Sequence, residues 1–306
     1  MQRPSYTTTG YLLSLGAFTW WGLFPLYIKA VSVASPLEVL AHRVVWCLPV
    51  CVFLIALWRG WGELRRSLAQ PKVLLTLLVT ATLITINWLI FIYSVESNQM
   101  LASSLGYFIS PLATLAMGMI FLKERPGRLK LAAMSLAALG TLNALLHQGG
   151  GLWIALGLAL SFSTYGLIRK TVKIEAVAGL LVETALITPV ALAWLLWMGF
   201  HGELVFGQGG WGITLLLACA GIITAVPLIW FTAGARRVPL HVVGVMQYIG
   251  PSIQFVLAVL FYDETVSPAR LFTFALVWAG VILYLVASGP WLRKKKSDPE
   301  LETPPA

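Results

Sequence analysis

Arg43 and Glu183 stand 140 positions apart, each six or seven residues inside a long apolar stretch. A charge at the centre of a membrane helix costs about 2.5–3.5 kcal/mol on insertion scales, so such residues are usually kept for work. Arg43 stays charged at any accessible pH and cannot carry protons itself, and with His42 and Glu38 it is a candidate coupling or gating group. Its alternative is to snorkel outward, solvated by His42 and Glu38 on the next turn. Glu183 is shorter and can load and release a proton. It reads as a proton-carrying or amine-binding carboxylate, against the alternative of a structural hydrogen-bonded acid.

A second set of residues predicts a binding cavity. Pro111 and Pro251 lie near the middles of two stretches and act as candidate hinges. Each frees the carbonyl four residues earlier, those of Tyr107 and Gln247. In lipid a freed carbonyl needs a neighbouring helix, water or a ligand. Tyr107, Gln247 and Tyr248 add polar handles, and matched Pro/Gly-interrupted spans point to a transporter's substrate site. Trp20, Trp21, Asn87 and Trp88 lie too deep for the interfacial aromatic belt. They read as cavity walls or as packing.

These residues are carried by ten apolar stretches, 10–28, 37–58, 73–95, 100–122, 129–146, 152–168, 177–198, 211–231, 242–262 and 269–288. Each approaches the ~20 residues that a helix needs to cross a bilayer. Of 21 Lys and Arg, all but Lys29, Arg43 and Arg270 fall in connections on one side of this threading. Positive residues stay cytoplasmic, which predicts a multi-pass bacterial inner-membrane protein with both termini inside. The first stretch is longer than a signal-peptide core and is read as part of the mature protein. Only 11% of residues are charged, against roughly a quarter in a soluble domain. The +9 net charge flanks spans instead of lining a nucleic-acid face, so no nucleic-acid partner is expected. Cys47, Cys51 and Cys219 form no metal or disulfide pattern, and neither metal nor cofactor is expected.

Sliding the chain on itself by 140 residues aligns Ile109, Pro111, Phe121, Glu124 and Gly140 with Ile249, Pro251, Phe261, Glu264 and Gly280. Pro49 meets Pro189, and with one extra residue Lys29 meets Lys170. Two halves of five spans each follow, and five is odd, so the second half enters the membrane inverted. That is the organisation of secondary transporters. The expected domains are a short N-terminus (1–9), two repeats (10–147 and 151–288) and a disordered basic, Pro-rich tail (291–306). The fold class is an all-α integral membrane protein of ten helices in two inverted repeats.

The connections leave no room for a nucleotide-binding domain, and no phosphate-binding loop occurs, so no ATPase subunit is implied. Tyr262-Asp263 echoes an intramembrane aspartyl protease, but the accompanying GxGD is absent, as are HExxH and GxSxG. An enzyme is not expected. An intramembrane enzyme and an uncoupled channel stay open as alternative classes.

The segments 38–46 (EVLAHRVVW), 87–112 (NWLIFIYSVESNQMLASSLGYFISPL), 165–170 (YGLIRK) and 221–264 resemble the RarD branch of the EamA family, in the drug/metabolite transporter superfamily. The resemblance spans about 10–287. It implies two inverted EamA units around a central cavity, in a family whose members export amino acids, other metabolites or drugs. The RarD name goes with chloramphenicol sensitivity. The expected function is a secondary-active exporter of small metabolites or drugs, proton- or exchange-coupled. Its expected partners are a small-molecule substrate and the lipid bilayer, with the chain acting as monomer or homodimer.

Overall fold

Inside a bilayer every backbone donor and acceptor must be satisfied within its own segment, so apolar runs of this length fold as helices. A computed structural model of the chain describes residues 8–97, 99–146, 151–261 and 267–288. Among them are α1 (Thr8–Ala30), α2 (Pro36–Leu57), α3 (Trp61–Leu68), α4 (Pro71–Glu96), α5 (Met100–Phe121) and α6 (Arg128–Leu146). The second half supplies α7 (Leu152–Thr171), α8 (Ala176–Phe200), α9 (Trp211–Ala235), α10 (Leu240–Gln247), α11 (Ile249–Phe261) and α12 (Pro268–Ser288). Ten spans are long and apolar enough to cross a membrane, with α10 and the start of α11 forming one of them. The protein is an all-α, multi-pass membrane protein. The N-terminal residues up to Thr7, the Tyr262–Glu264 motif and the tail 291–306 lie outside the described residues.

Two elements add to the sequence reading. The connection 59–72, which carries no apolar stretch, holds the short helix α3. Glu63 in its first turn and Arg65 and Arg66 in its last complement the helix dipole, while Leu64 and Ser67 are buried. The ninth span is also not one continuous helix. It breaks at Tyr248, whose N–H turns back to the Val245 carbonyl at 3.2 Å before Ser252 N–H bonds the Tyr248 carbonyl at 3.1 Å. The break falls three residues ahead of Pro251, which has no N–H to return to the Gln247 carbonyl and whose ring crowds it, so α10 ends there and Pro251 sits in the first turn of α11. α5, by contrast, runs unbroken through Pro111.

Helix contacts come in matched pairs. α1 packs on α9 as α7 packs on α4, and α2 packs on α9 as α8 packs on α4. α5 meets α7 as α11 and α10 meet α1. Each pair is the counterpart of the other under exchange of the two halves, as a two-fold repeat requires.

The compact units cut across those halves. α6 and α12, the fifth span of each half, form one unit, and the other ten helices form the second. Within the smaller unit the two helices run antiparallel. A Cβ on Gly140 would stand 2.9 Å from the Thr273 carbonyl oxygen, and one on Gly280 would stand 2.5 Å from that of Ala133. Gly140 and Gly280 are the equivalent residues of the repeat, so each half offers the same small residue to the same seam. Asn143 ties the seam further, donating to the Ala269 carbonyl and the Thr273 hydroxyl at 3.0 and 2.9 Å.

Candidate substrate cavity

Inside the larger unit α1, α2, α4, α5, α7, α9, α10 and α11 line a cavity of about 150 Å³. That is room for about five waters or one benzene-sized ring. Its walls are aromatic and aliphatic: Phe18, Trp21, Phe24, Trp88, Phe91 and Phe162, with Leu158 and Leu228. Polar groups enter from Asn87, Tyr107, Ser110, Thr224, Gln247 and Gln254, and Pro251 closes the wall beside the broken helix. Apolar walls with a few placed polar groups are the usual make-up of a small-molecule site.

Most of the polar groups are already engaged. The Asn87 amide donates to the Leu158 carbonyl at 3.0 Å and to Ser161 Oγ at 2.9 Å, joining α4 to α7. Gln247 accepts from Ser110 Oγ at 2.9 Å and donates to Thr114 Oγ1 at 2.8 Å, joining α10 to α5. Gln254 donates to the Trp21 carbonyl at 3.2 Å.

Arg43 stands apart from them. Its guanidinium carbon lies 5.0 Å from the Phe24 ring centre and 4.9 Å from that of Trp88, and its Nε donates to Thr224 Oγ1 at 3.0 Å. Among the described residues no carboxylate pairs with it. It lines the cavity instead of snorkelling towards Glu38.

Glu38 and His42 work elsewhere. Glu38 Oε1 accepts the backbone N–H groups of Val205 and Phe206 at 3.0 and 2.9 Å, fixing the connection between α8 and α9. His42 packs on the Phe206 ring with centroids 4.6 Å apart, and its Nδ1 accepts from Trp46 Nε1 at 3.1 Å. An accepting Nδ1 places the imidazole proton on Nε2.

Glu183 is fully buried and does not line the cavity. Thr80 donates to its Oε1 at 2.5 Å and Tyr165 to its Oε2 at 3.3 Å. Arg169 Nε lies 3.4 Å from Oε1. The sequence reading counted Arg169 among the cations of the connections on the basic side. Instead Arg169 is 0% exposed, and its Nη2 donates to the Ala176 carbonyl at 3.0 Å. Gly179 makes room for it, because a Cβ there would overlap the guanidinium. Lys170 Nζ donates to the carbonyls of Ala235 and Val238, satisfying the end of α9.

Of the other expected cavity residues, Trp21, Asn87, Trp88, Tyr107 and Gln247 line it. Trp20 packs edge-to-face on Trp230, and Tyr248 is buried with its hydroxyl 3.5 Å from the Phe108 carbonyl. Neither lines it, and neither does Pro111. Thr224, Gln254 and Leu228 do, and the sequence reading missed them. The available signal was the 140-residue offset, since Thr224 is the counterpart of Ile84, Leu228 of Trp88 and Gln247 of Tyr107, all of them lining residues.

Beyond the cavity, where α7 and α9 near their C-terminal ends, Phe162, Tyr165 and Phe231 pack with centroids 5.0–6.3 Å apart. On that side Glu124, just past α5, caps α10. It accepts the N–H groups of Leu240 and His241 at 2.6 and 2.9 Å and lies 2.6 Å from His241 Nδ1. Burial pushes the Glu124 carboxyl up, but the bonds from the His241 ring and the two amides outweigh it and hold the group below its ordinary value.

Residues 8–146 match the EamA-like transporter family. An uncharacterised transporter of Vibrio cholerae is 42% identical over 277 residues, 90% of this chain and 92% of that one. Protein RarD of Escherichia coli strain K12 is 42% identical over 280 residues, covering 92% and 95%. A Pseudomonas aeruginosa relative named chloramphenicol-sensitive protein RarD is 33% identical over 290 residues, covering 94% and 96%. A protein crystal structure shares the fold with a TM-score of 0.68 at 18% identity, over 94% of this chain and all of that one. The chain belongs to the RarD branch of the EamA-like transporter family, within the drug/metabolite transporter superfamily.

Proposed function

We propose that this membrane transporter is a secondary-active exporter of small metabolites or drugs, working by alternating access around the cavity and driven by proton coupling or exchange. The observation that carries the reading is the cavity itself, lined by eight helices and bordered by the α10–α11 break. Discontinuous spans beside a central site are where secondary transporters bind and switch. In the orientation read from the basic connections, the aromatic cluster of Phe162, Tyr165 and Phe231 and the Glu124 cap close the cytoplasmic side. The cavity then faces outward, in a bacterial inner membrane with both termini inside. The chain acts without an ATPase subunit, cofactor or nucleic acid, as monomer or homodimer, and carries no catalysis.

Counterflow uptake by purified protein in liposomes tests the reading. Accelerated exchange of labelled substrate against an internal unlabelled pool is expected. Ungated flux would mean a channel, and a covalently altered product would mean an enzyme. Orientation has its own assay: in a Cys-free background, single cysteines at Ser97 or Gly207 should react with an impermeant reagent added outside cells, whereas those at Ser67 or Lys173 should not.

A further inference from the structure

We infer that the cavity selects a small organic anion, a carboxylate on an aromatic or similarly apolar body, and that Arg43 receives the carboxylate. The inference rests on the reading of this cavity as the substrate site and names the substrate class. Arg43 is the one permanently charged side chain in the lining, and no Asp or Glu lines the cavity to offset it. Its Nε is held by Thr224 and its plane by the rings of Phe24 and Trp88. Nη1 and Nη2 make no hydrogen bond among the described residues, leaving a fixed two-pronged donor of the shape a carboxylate accepts.

The other donors in the lining are neutral and partly engaged. Asn87 spends both amide hydrogens on Leu158 and Ser161, and Gln247 and Gln254 each donate one to the protein. Tyr107, on α5, also lines the cavity, its hydroxyl without a hydrogen bond among the described residues, and offers a second donor. An ammonium group would meet amide oxygens and ring faces there, with no carboxylate among the described lining residues to pair it and the Arg43 charge repelling it. The aromatic walls take an organic body where a bare inorganic ion would leave them unfilled.

Three compounds of one shape and different charge decide it: phenylacetate, phenylacetamide and phenethylamine. Each is titrated calorimetrically into the full chain in detergent, in chloride buffer at neutral pH. Phenylacetate should bind roughly tenfold tighter than its amide, the usual gain of a charge-assisted over a neutral hydrogen bond. Phenethylamine should bind more weakly than either. R43Q should erase the gap between acid and amide, and R43K should keep part of it, since charge survives without the fork. Should R43Q fail to fold, the wild-type series and Tyr107→Phe, expected to weaken phenylacetate severalfold, carry the same test. Equal affinity for acid and amide, a preference for the amine, binding of none of the three, or an acid preference that survives R43Q would each overturn the proposal. Anion-selective binding with no counterflow in liposomes would overturn the transport reading alone.

Discussion

Two arginines sit inside the helix bundle, and their surroundings are opposite. Arg169 is fully buried, faces Glu183 and is backed by Gly179. Arg43 faces a cavity, is held by rings and one hydroxyl, and has no acid beside it. A buried charge without a partner is expensive, and a partnered one has no unspent charge to offer a ligand. The first is therefore part of the frame, and the second is left open for something that arrives. Glu183 shares the setting of Arg169: Thr80 and Tyr165 donate to it, Arg169 Nε lies 3.4 Å away, and it does not line the cavity.

The sharpest way to break this contrast is to remove one member of the paired site. Glu183→Gln leaves Arg169 buried without a counter-charge and should lower stability by about 3–5 kcal/mol. Thermal unfolding in detergent would read this as a large fall in Tm and membrane yield. Arg169→Met together with Glu183→Leu should recover most of it, because both charges leave at once. If Glu183→Gln is as stable as wild type yet no longer responds to an imposed pH gradient in liposomes, Glu183 is the proton carrier and the contrast fails.

Next in size is Gln247→Ala. It removes the bonds that join α10 to Ser110 and Thr114, each about 1 kcal/mol. Stability should fall modestly and transport more, because the α10–α11 break loses its tie to α5. Arg43→Gln should change stability by only about 1–2 kcal/mol, one hydrogen bond and its ring contacts, well short of the Arg169 site. A collapse of Arg43→Gln equal to that of Glu183→Gln would show both arginines to be structural.

The smallest effect concerns Glu124. Its folded pKa is depressed, so its contribution is present above the unfolded value of about 4.3 and is lost as pH falls through the folded value. Wild type should therefore lose stability in acid relative to Glu124→Gln, and the two curves should converge. Parallel curves across that window would remove the carboxylate from the closure of the basic side.

Spans, repeat and inversion were legible because charge placement and a fixed offset are properties of the sequence itself. The cavity was legible in part. Trp88, Tyr107 and Gln247 declared themselves by being polar or bulky in apolar runs, whereas Leu228 could be found only by carrying Trp88 across the repeat. Arg169 was misread because its neighbours Lys170 and Lys173 are basic too. Tyr165 and Arg169 are spaced by four and share a face, which points Arg169 inward towards Glu183. The Glu38 role was out of reach, because the N–H groups that donate to it lie in a connection 167 and 168 residues away.

The Gly140–Gly280 seam has a consequence for how such a chain can be assembled. Because both sides present the same patch, the contact is isologous, the kind found across the two-fold axis of a homodimer. Since α6 and α12 run antiparallel, two copies of a single half could form it only by inserting in opposite directions. The basic connections of residues 10–147 hold one direction. Joining the halves in one chain, with an odd number of spans in each, supplies the opposite direction without asking any one sequence to insert both ways.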